Sequence, residues 1–295
     1  MRYGMPYKGS KNAIAEKIIN VLPPAEHFYD LFGGGGAISH CALLSGKYKH
    51  VHYNELDPLI FKGFKMAVNG EFKNENRWIG REDFVKLKDT DPYVAICFSF
   101  GNDLKTYCYS KKLESFKKAF HYAVFFRDFS LLDDLGIRID HSLRGRMNIA
   151  KAIKAIDNDL HVEIRLQSLE RLESLERLES LENLETFDSL GLSFTNQSYD
   201  KVDIEPNSIV YCDPPYADTN TYVLEFEHLK FYEWAREQDN IFISEYAMPD
   251  DFVELASINK RVLMDATRKG ENKQEKIFTN RKTYERMIAN NLNLW

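Results

Sequence analysis

The stretch Ser208-Ile-Val-Tyr-Cys-Asp-Pro-Pro-Tyr216 decides the fold. Ser208 to Cys212 is a short apolar run rich in β-branched and aromatic residues, the pattern of a buried strand. The two prolines that follow cannot continue a ladder, because each lacks an N–H and has its φ fixed. Asp213 and Tyr216 therefore leave the C-terminal end of the strand on a stiff turn. In open α/β sheets that edge is where ligands bind.

The flanking sequence supplies partners for such a strand. His27-Phe-Tyr-Asp-Leu-Phe32 reads as a strand running into Gly33-Gly-Gly-Gly36, and Ala37 to Leu44 then reads as a helix. His50-Val-His-Tyr-Asn-Glu55 is a second short strand, and Asp57-Pro58 opens a further helix. Before them, Ile14, Ile18, Ile19 and Leu22 share one helix face, with Ser10 as its cap and Pro23-Pro24 as its stop. Residues 71–90 read as a charged surface helix with its connections. Pro92 to Phe100 is apolar and buried, helix or strand, and periodicity does not decide between them. Phe194 to Val202 is strand and turn, Glu227 to Glu237 a helix, and Asn240 to Tyr246 a strand ending in polar residues. Arg261 to Asn293, with its Lys/Arg and Asn280, reads as a loop near the site. Strands alternating with helices predict a mostly parallel α/β sheet.

Composition sets the class. A chain of 295 residues, 44% hydrophobic and 28% charged, is ordinary for a soluble globular protein. No apolar run approaches the ~18–20 residues of a membrane span, and the N-terminus lacks a signal-peptide pattern. Cys41, Cys97, Cys108 and Cys212 form no CxxC pair, which predicts a reduced, cytoplasmic setting and no zinc site. The net charge of −6 is uneven. Residues 166–188 hold seven acids and two arginines, whereas 105–154 hold eleven Lys/Arg against five Asp/Glu. That basic segment includes Lys111, Lys112, Lys117, Lys118, Arg127, Arg138, Arg144 and Arg146 among aromatics, and is compatible with a phosphate-facing surface or a solvated helix face.

From Leu166 to Leu184 leucine recurs at every third position. A three-residue step slips about 60° on an α-helix, so the stripe winds around it; a coiled coil wants 3.5. The composition favours an α-helix, with a triplet-repeat coil as the alternative, and the segment carries no chemical role.

Asp30-Leu-Phe-Gly-Gly-Gly-Gly36 is strand, turn and helix, with glycines that let a ligand approach the backbone. It fits the dinucleotide pattern G-x-G-x-x-G poorly, and the Asp30 carboxylate suits a cationic ligand better than a phosphate. Glu55, about twenty residues on, is placed to accept hydrogen bonds from a ribose diol. Asp213 and the Pro214 carbonyl can accept from an exocyclic amino group, and Tyr216 can stack on an extruded base.

With these pieces in order, Tyr7-Lys8-Gly9-Ser10-Lys11, Asp30 to Gly36, Asn54-Glu55 and Asp213-Pro-Pro-Tyr216, the chain resembles the Dam-like DNA adenine-N6 methyltransferases frequent in bacteriophages and prophages. The resemblance implies a Rossmann-like S-adenosylmethionine-dependent methyltransferase sheet from residues 1–100 and 190–295. It also implies a mainly helical target-recognition insert at 101–165, with the leucine repeat at 166–189 outside the family core. By the same resemblance Tyr7, Lys11, Asp30, Phe32, Gly33, Gly34, Gly36, Asn54, Glu55 and Asp213 line the S-adenosylmethionine pocket. Asp213, Pro214, Pro215 and Tyr216 hold a flipped adenine for direct methyl transfer, without a metal, in a specific double-stranded DNA site. Glu55 stands where the family usually has Asp, and the glycine run is richer than the usual one. Cytosine-N4 transfer, an RNA substrate and a DNA-binding protein without catalysis are the alternatives.

Overall fold

The computed structural model describes residues 3–73, 75–160, 191–215, 226–263 and 270–289. Tyr216 and the leucine repeat lie outside the described residues. In chain order the described elements are α1 (Ala15–Val21), β1 (Ala25–Asp30), α2 (Ala37–Ser45), β2 (Tyr48–Asn54), α3 (Pro58–Val68), α4 (Arg81–Leu87), α5 (Pro92–Phe98), α6 (Glu114–Phe126), α7 (Ser130–Asp134) and α8 (Arg146–Leu160). They continue with β3 (Leu192–Thr195), β4 (Ile209–Cys212), α9 (His228–Glu237), β5 (Ile241–Glu245), β6 (Phe252–Leu263), β7 (Gly270–Asn280) and α10 (Arg281–Ala289).

The seven strands form one sheet in the order β3-β2-β1-β4-β5-β7-β6. The pairs from β3 to β5 are parallel, and β7 runs antiparallel to both neighbours. Every residue of β4 and β5 is buried, as a parallel strand covered on both faces requires. This is the Rossmann-like α/β sheet expected from the sequence, and the described chain between β2 and β3 is mainly helical. Strand order reverses between β1 and β4, so the ends of those two strands flank a topological switch point. Among the described residues no helix is long and apolar enough to cross a membrane.

Two compact units are distinguished. Of the described residues, 3–5, 9–65 and those from 191 onward fall in one, and 6–8 and 66–160 in the other. The helices α4 and α5 pack on each other within the second unit. The second unit is helical, with Ala119, Phe120, Ala123, Val124, Leu132, Ile149 and Ile153 in its core. Asp91 caps α5 by accepting hydrogen bonds from Tyr93 N at 3.0 Å and Val94 N at 3.4 Å, with Pro92 in the first turn. This settles Pro92–Phe98 as helix, and Ser99 leaves it in an extended bridge to Tyr107.

Two local expectations are corrected. Ser10 does not cap α1; Ile14 precedes the helix without a side-chain cap, and Ser10 Oγ accepts from Asn12 N instead. The segment 261–293 is not a loop: most of it completes the β6–β7 hairpin and α10. Its strands are too polar to show an apolar alternation, and their long antiparallel register supplies the order.

The glycine turn after β1 is held tightly. Gly33 N donates to Asn54 O at 2.8 Å, Gly36 N to Gly33 O at 2.7 Å, and Tyr53 Oη to Gly34 O at 2.7 Å. Gly36 has φ +70°, and a Cβ there would overlap the Phe64 ring. Gly36→Ala combines left-handed strain with overpacking and is expected to cost about 2–5 kcal/mol. An unchanged urea midpoint would contradict this account of the turn.

Candidate active site at the carboxyl edge of the sheet

Asp213 leaves the end of β4 ahead of two prolines, Pro214 buried and Pro215 half-buried. Lys11, from the segment before α1, is only 4% exposed and donates to both carboxylate oxygens of Asp213 at 2.7 Å. The same ammonium lies 3.6 Å from Glu275 Oε1 on β7. Glu275 is fully buried and accepts from Ser244 Oγ at 2.8 Å. The sequence resemblance placed Lys11 in the cofactor pocket and Asp213 on a substrate amine; here they bind each other.

Further carboxyls crowd this edge. Glu245, at the end of β5, is 3% exposed. Its Oε1 accepts from Tyr246 N at 2.8 Å, and its Oε2 has no hydrogen-bond partner among the described residues. Burial pushes its carboxyl up to about 8, with Asp213 and Glu275 adding to the shift and Lys11 opposing it. Asp30, at the end of β1, is 1% exposed and accepts at Oδ2 from Ser39 N at 3.1 Å and Ser39 Oγ at 2.7 Å. Its Oδ1 has no partner among the described residues. Burial raises it to about 7, and the nearby carboxylates of Asp213 and Glu55 push the same way.

Glu55 bridges two backbone segments. Its Oε2 accepts from Gly34 N at 2.7 Å and its Oε1 from Asp57 N at 2.8 Å, while burial raises its carboxyl above the ordinary range. Asn54 is buried and fully engaged: Nδ2 donates to Leu31 O at 2.9 Å and Gln197 O at 3.0 Å, and Oδ1 accepts from Thr195 Oγ1 at 2.8 Å. It ties together the ends of β1, β2 and β3. Phe32 stacks on Tyr199 at 5.4 Å and meets Phe226 and Phe231 edge-on. Tyr7 is half-buried and falls in the second unit.

The sheet unit therefore gathers Lys11, Asp30, the glycine turn, Glu55 and Asp213 at strand ends around the switch point. Sequence reasoning missed Glu245 and Glu275. The polar Ser244-Glu245-Tyr246 ending of a predicted strand was the available signal for the first. Glu275 had none, since its segment read as loop. In the second unit, Lys111, Lys112, Lys118, Arg138 and Arg144 are exposed. Lys117 is buried with its ammonium over the Tyr109 ring, Arg127 reaches the carbonyls of His141 and Leu143, and Arg146 lies over Phe125.

No family model matches the sequence, and no curated protein matches it. Among solved structures, one similar chain is a "putative RNA methyltransferase" from Pyrococcus horikoshii. It is 12% identical, the match covers 93% of this chain and 86% of that one, and the TM-score is 0.37. A likeness at that level assigns neither fold nor activity.

A carboxyl whose folded-state affinity for protons exceeds the unfolded one favours the fold while protonated. For Glu245 that contribution is complete below about pH 4.5 and is lost as pH rises to about 8. Glu245→Gln mimics the protonated form and should raise Tm by several degrees at pH 8.5 and little at pH 5. An equal effect at both would show that Glu245 is not held in this way.

Proposed function

We propose that the protein is an amino methyltransferase that transfers a methyl group from S-adenosylmethionine to N6 of a flipped-out adenine in a specific double-stranded DNA site. The observation carrying this reading is the Asp213 carboxylate, gripped by Lys11 among buried acids at the switch point and followed by two prolines. A carboxylate oxygen has more than one lone pair, so Asp213 can keep Lys11 and still accept an N–H from an amino group. The Pro214 carbonyl supplies a second acceptor. Lys11 fixes the carboxylate's direction, and acceptors aimed at an amino group orient its nitrogen for attack.

The acids decide what kind of ligand the edge favours. One lysine among Asp213, Glu275 and Glu245, with Asp30 close by, favours cationic or amino-bearing groups and disfavours phosphate. S-adenosylmethionine, when bound, supplies an electrophilic methyl group on a sulfonium. The residues present fit it: Asp30, at the end of β1 beside the glycine turn, has a buried carboxylate oxygen with no partner among the described residues. Asp30, Phe32 and the turn would hold its methionine part and Glu55 its ribose. The proton shed by N6 on methylation has Asp213 as its nearest carboxylate acceptor in this scheme. Tyr7 in the cofactor pocket and Tyr216 stacked on the base rest on the sequence resemblance. The exposed lysines and arginines of the second unit would meet DNA phosphates.

The test is transfer of labelled methyl groups to duplex DNA, followed by mass spectrometry of the digested bases. The native chain should yield N6-methyladenine, and Asp213→Ala should lower the rate at least about a hundredfold at a temperature below its lowered Tm, where its circular dichroism matches that of the native chain. Product on cytosine or in RNA would move the substrate assignment. No product on any nucleic acid would leave a binding protein, and full activity of Asp213→Ala would end the proposed mechanism.

A further inference from the structure

At the opposite end of β1 and β2 from the glycine turn, three of the chain's eight histidines meet on one face of the sheet. The parallel register sets His27 beside His50 and Tyr29 beside His52. Strand side chains alternate, so these four share a face. The rings of His27 and His50 stack at 4.8 Å with an interplanar angle of 26°. Glu26 precedes His27 and so starts from the other face, yet one ligand atom each from Glu26, His27 and His50 can be chosen so that all lie within 4.8 Å of one another.

We propose that Glu26, His27 and His50 bind one zinc ion, with His52 and Ser193 orienting His27 from behind. Imidazole and carboxylate donors suit a borderline cation of this class. His52 Nδ1 lies 2.6 Å from Ser193 Oγ, and His52 Nε2 lies 3.0 Å from His27 Nδ1. In the tautomer where His52 donates to Ser193, it accepts from His27 Nδ1–H, which leaves His27 Nε2 for a metal. A ligand histidine anchored through its other nitrogen is the usual arrangement at metal sites. Tyr29 lies flat on His52 at 4.1 Å and fixes that ring in turn.

Zinc–nitrogen bonds of about 2.0–2.1 Å place tetrahedral donors roughly 3.4 Å apart, so donors up to 4.8 Å apart need to close by as much as about 1.4 Å. Glu26 and His50 are exposed and free to move in this way. The competing interaction is the 3.3 Å ion pair of Glu26 with Lys49, both well exposed, and such pairs are weak. Cysteine spacing had pointed away from zinc. The histidines form no local motif, and only the strand register assembles them. The site lies apart from Asp213 and needs no part in methyl transfer; its effect is to pin β1 to β2.

Calorimetric titration of the full chain, free of any histidine tag, with zinc chloride tests this. One equivalent should bind with a micromolar dissociation constant. His27→Gln and His50→Gln should each weaken binding at least tenfold, and His52→Phe, which removes only the orienting partner, by about tenfold. His141→Gln, in the second unit, should change nothing. Absence of micromolar binding, or an unchanged isotherm for His50→Gln in a folded protein, overturns the proposal.

Discussion

The ion pair between Lys11 and Asp213 governs the carboxyl edge of the sheet. Two charges withdrawn from water cost several kcal/mol each unless paired with good geometry, and breaking such a pair leaves an uncompensated charge worth about 3–5 kcal/mol. Here the lysine is almost wholly buried and both carboxylate oxygens are in reach. Glu275 leans on the same ammonium from β7. One cation therefore ties the segment before α1 to the end of β4 and the middle of β7, which are distant in sequence. The residue holding the proposed catalytic carboxylate is also a principal brace of the edge that displays it.

Around that brace the sheet concentrates acids that cannot all stay ionised. Glu245 and Asp30 are driven toward the neutral form by burial first and by their acidic neighbours second. Sites that keep carboxyls near neutrality in their titration are common where chemistry occurs, because desolvation strengthens every field inside. The result is an edge that discriminates by charge before any specific contact forms.

Much of this was legible in the chain. The apolar run ending at Cys212, the glycine turn after Asp30 and the acid at Glu55 each announce a strand end, because prolines, glycines and polar residues interrupt apolar patterns. The strands of the β6–β7 hairpin were invisible for the opposite reason, since their polar residues are ordered by antiparallel pairing and not by composition. The direct grip of Lys11 on Asp213 was also beyond reach. It joins positions 202 residues apart, and single-sequence reading sees neighbours along the chain. Asn54 shows the same limit: its side chain joins Leu31, Thr195 and Gln197, which are brought together only by the fold.

The glycine turn carries a consequence for the thermodynamics of whatever it receives. Its amides and carbonyls are already fastened by Asn54, Glu55 and Tyr53, three consecutive residues at the end of β2. A run of glycines would ordinarily lose the most conformational freedom on meeting a ligand. Here that entropy is surrendered on folding, so association is spared the cost of ordering the turn. A flexible sequence has been made into a rigid receptor by the strand beside it.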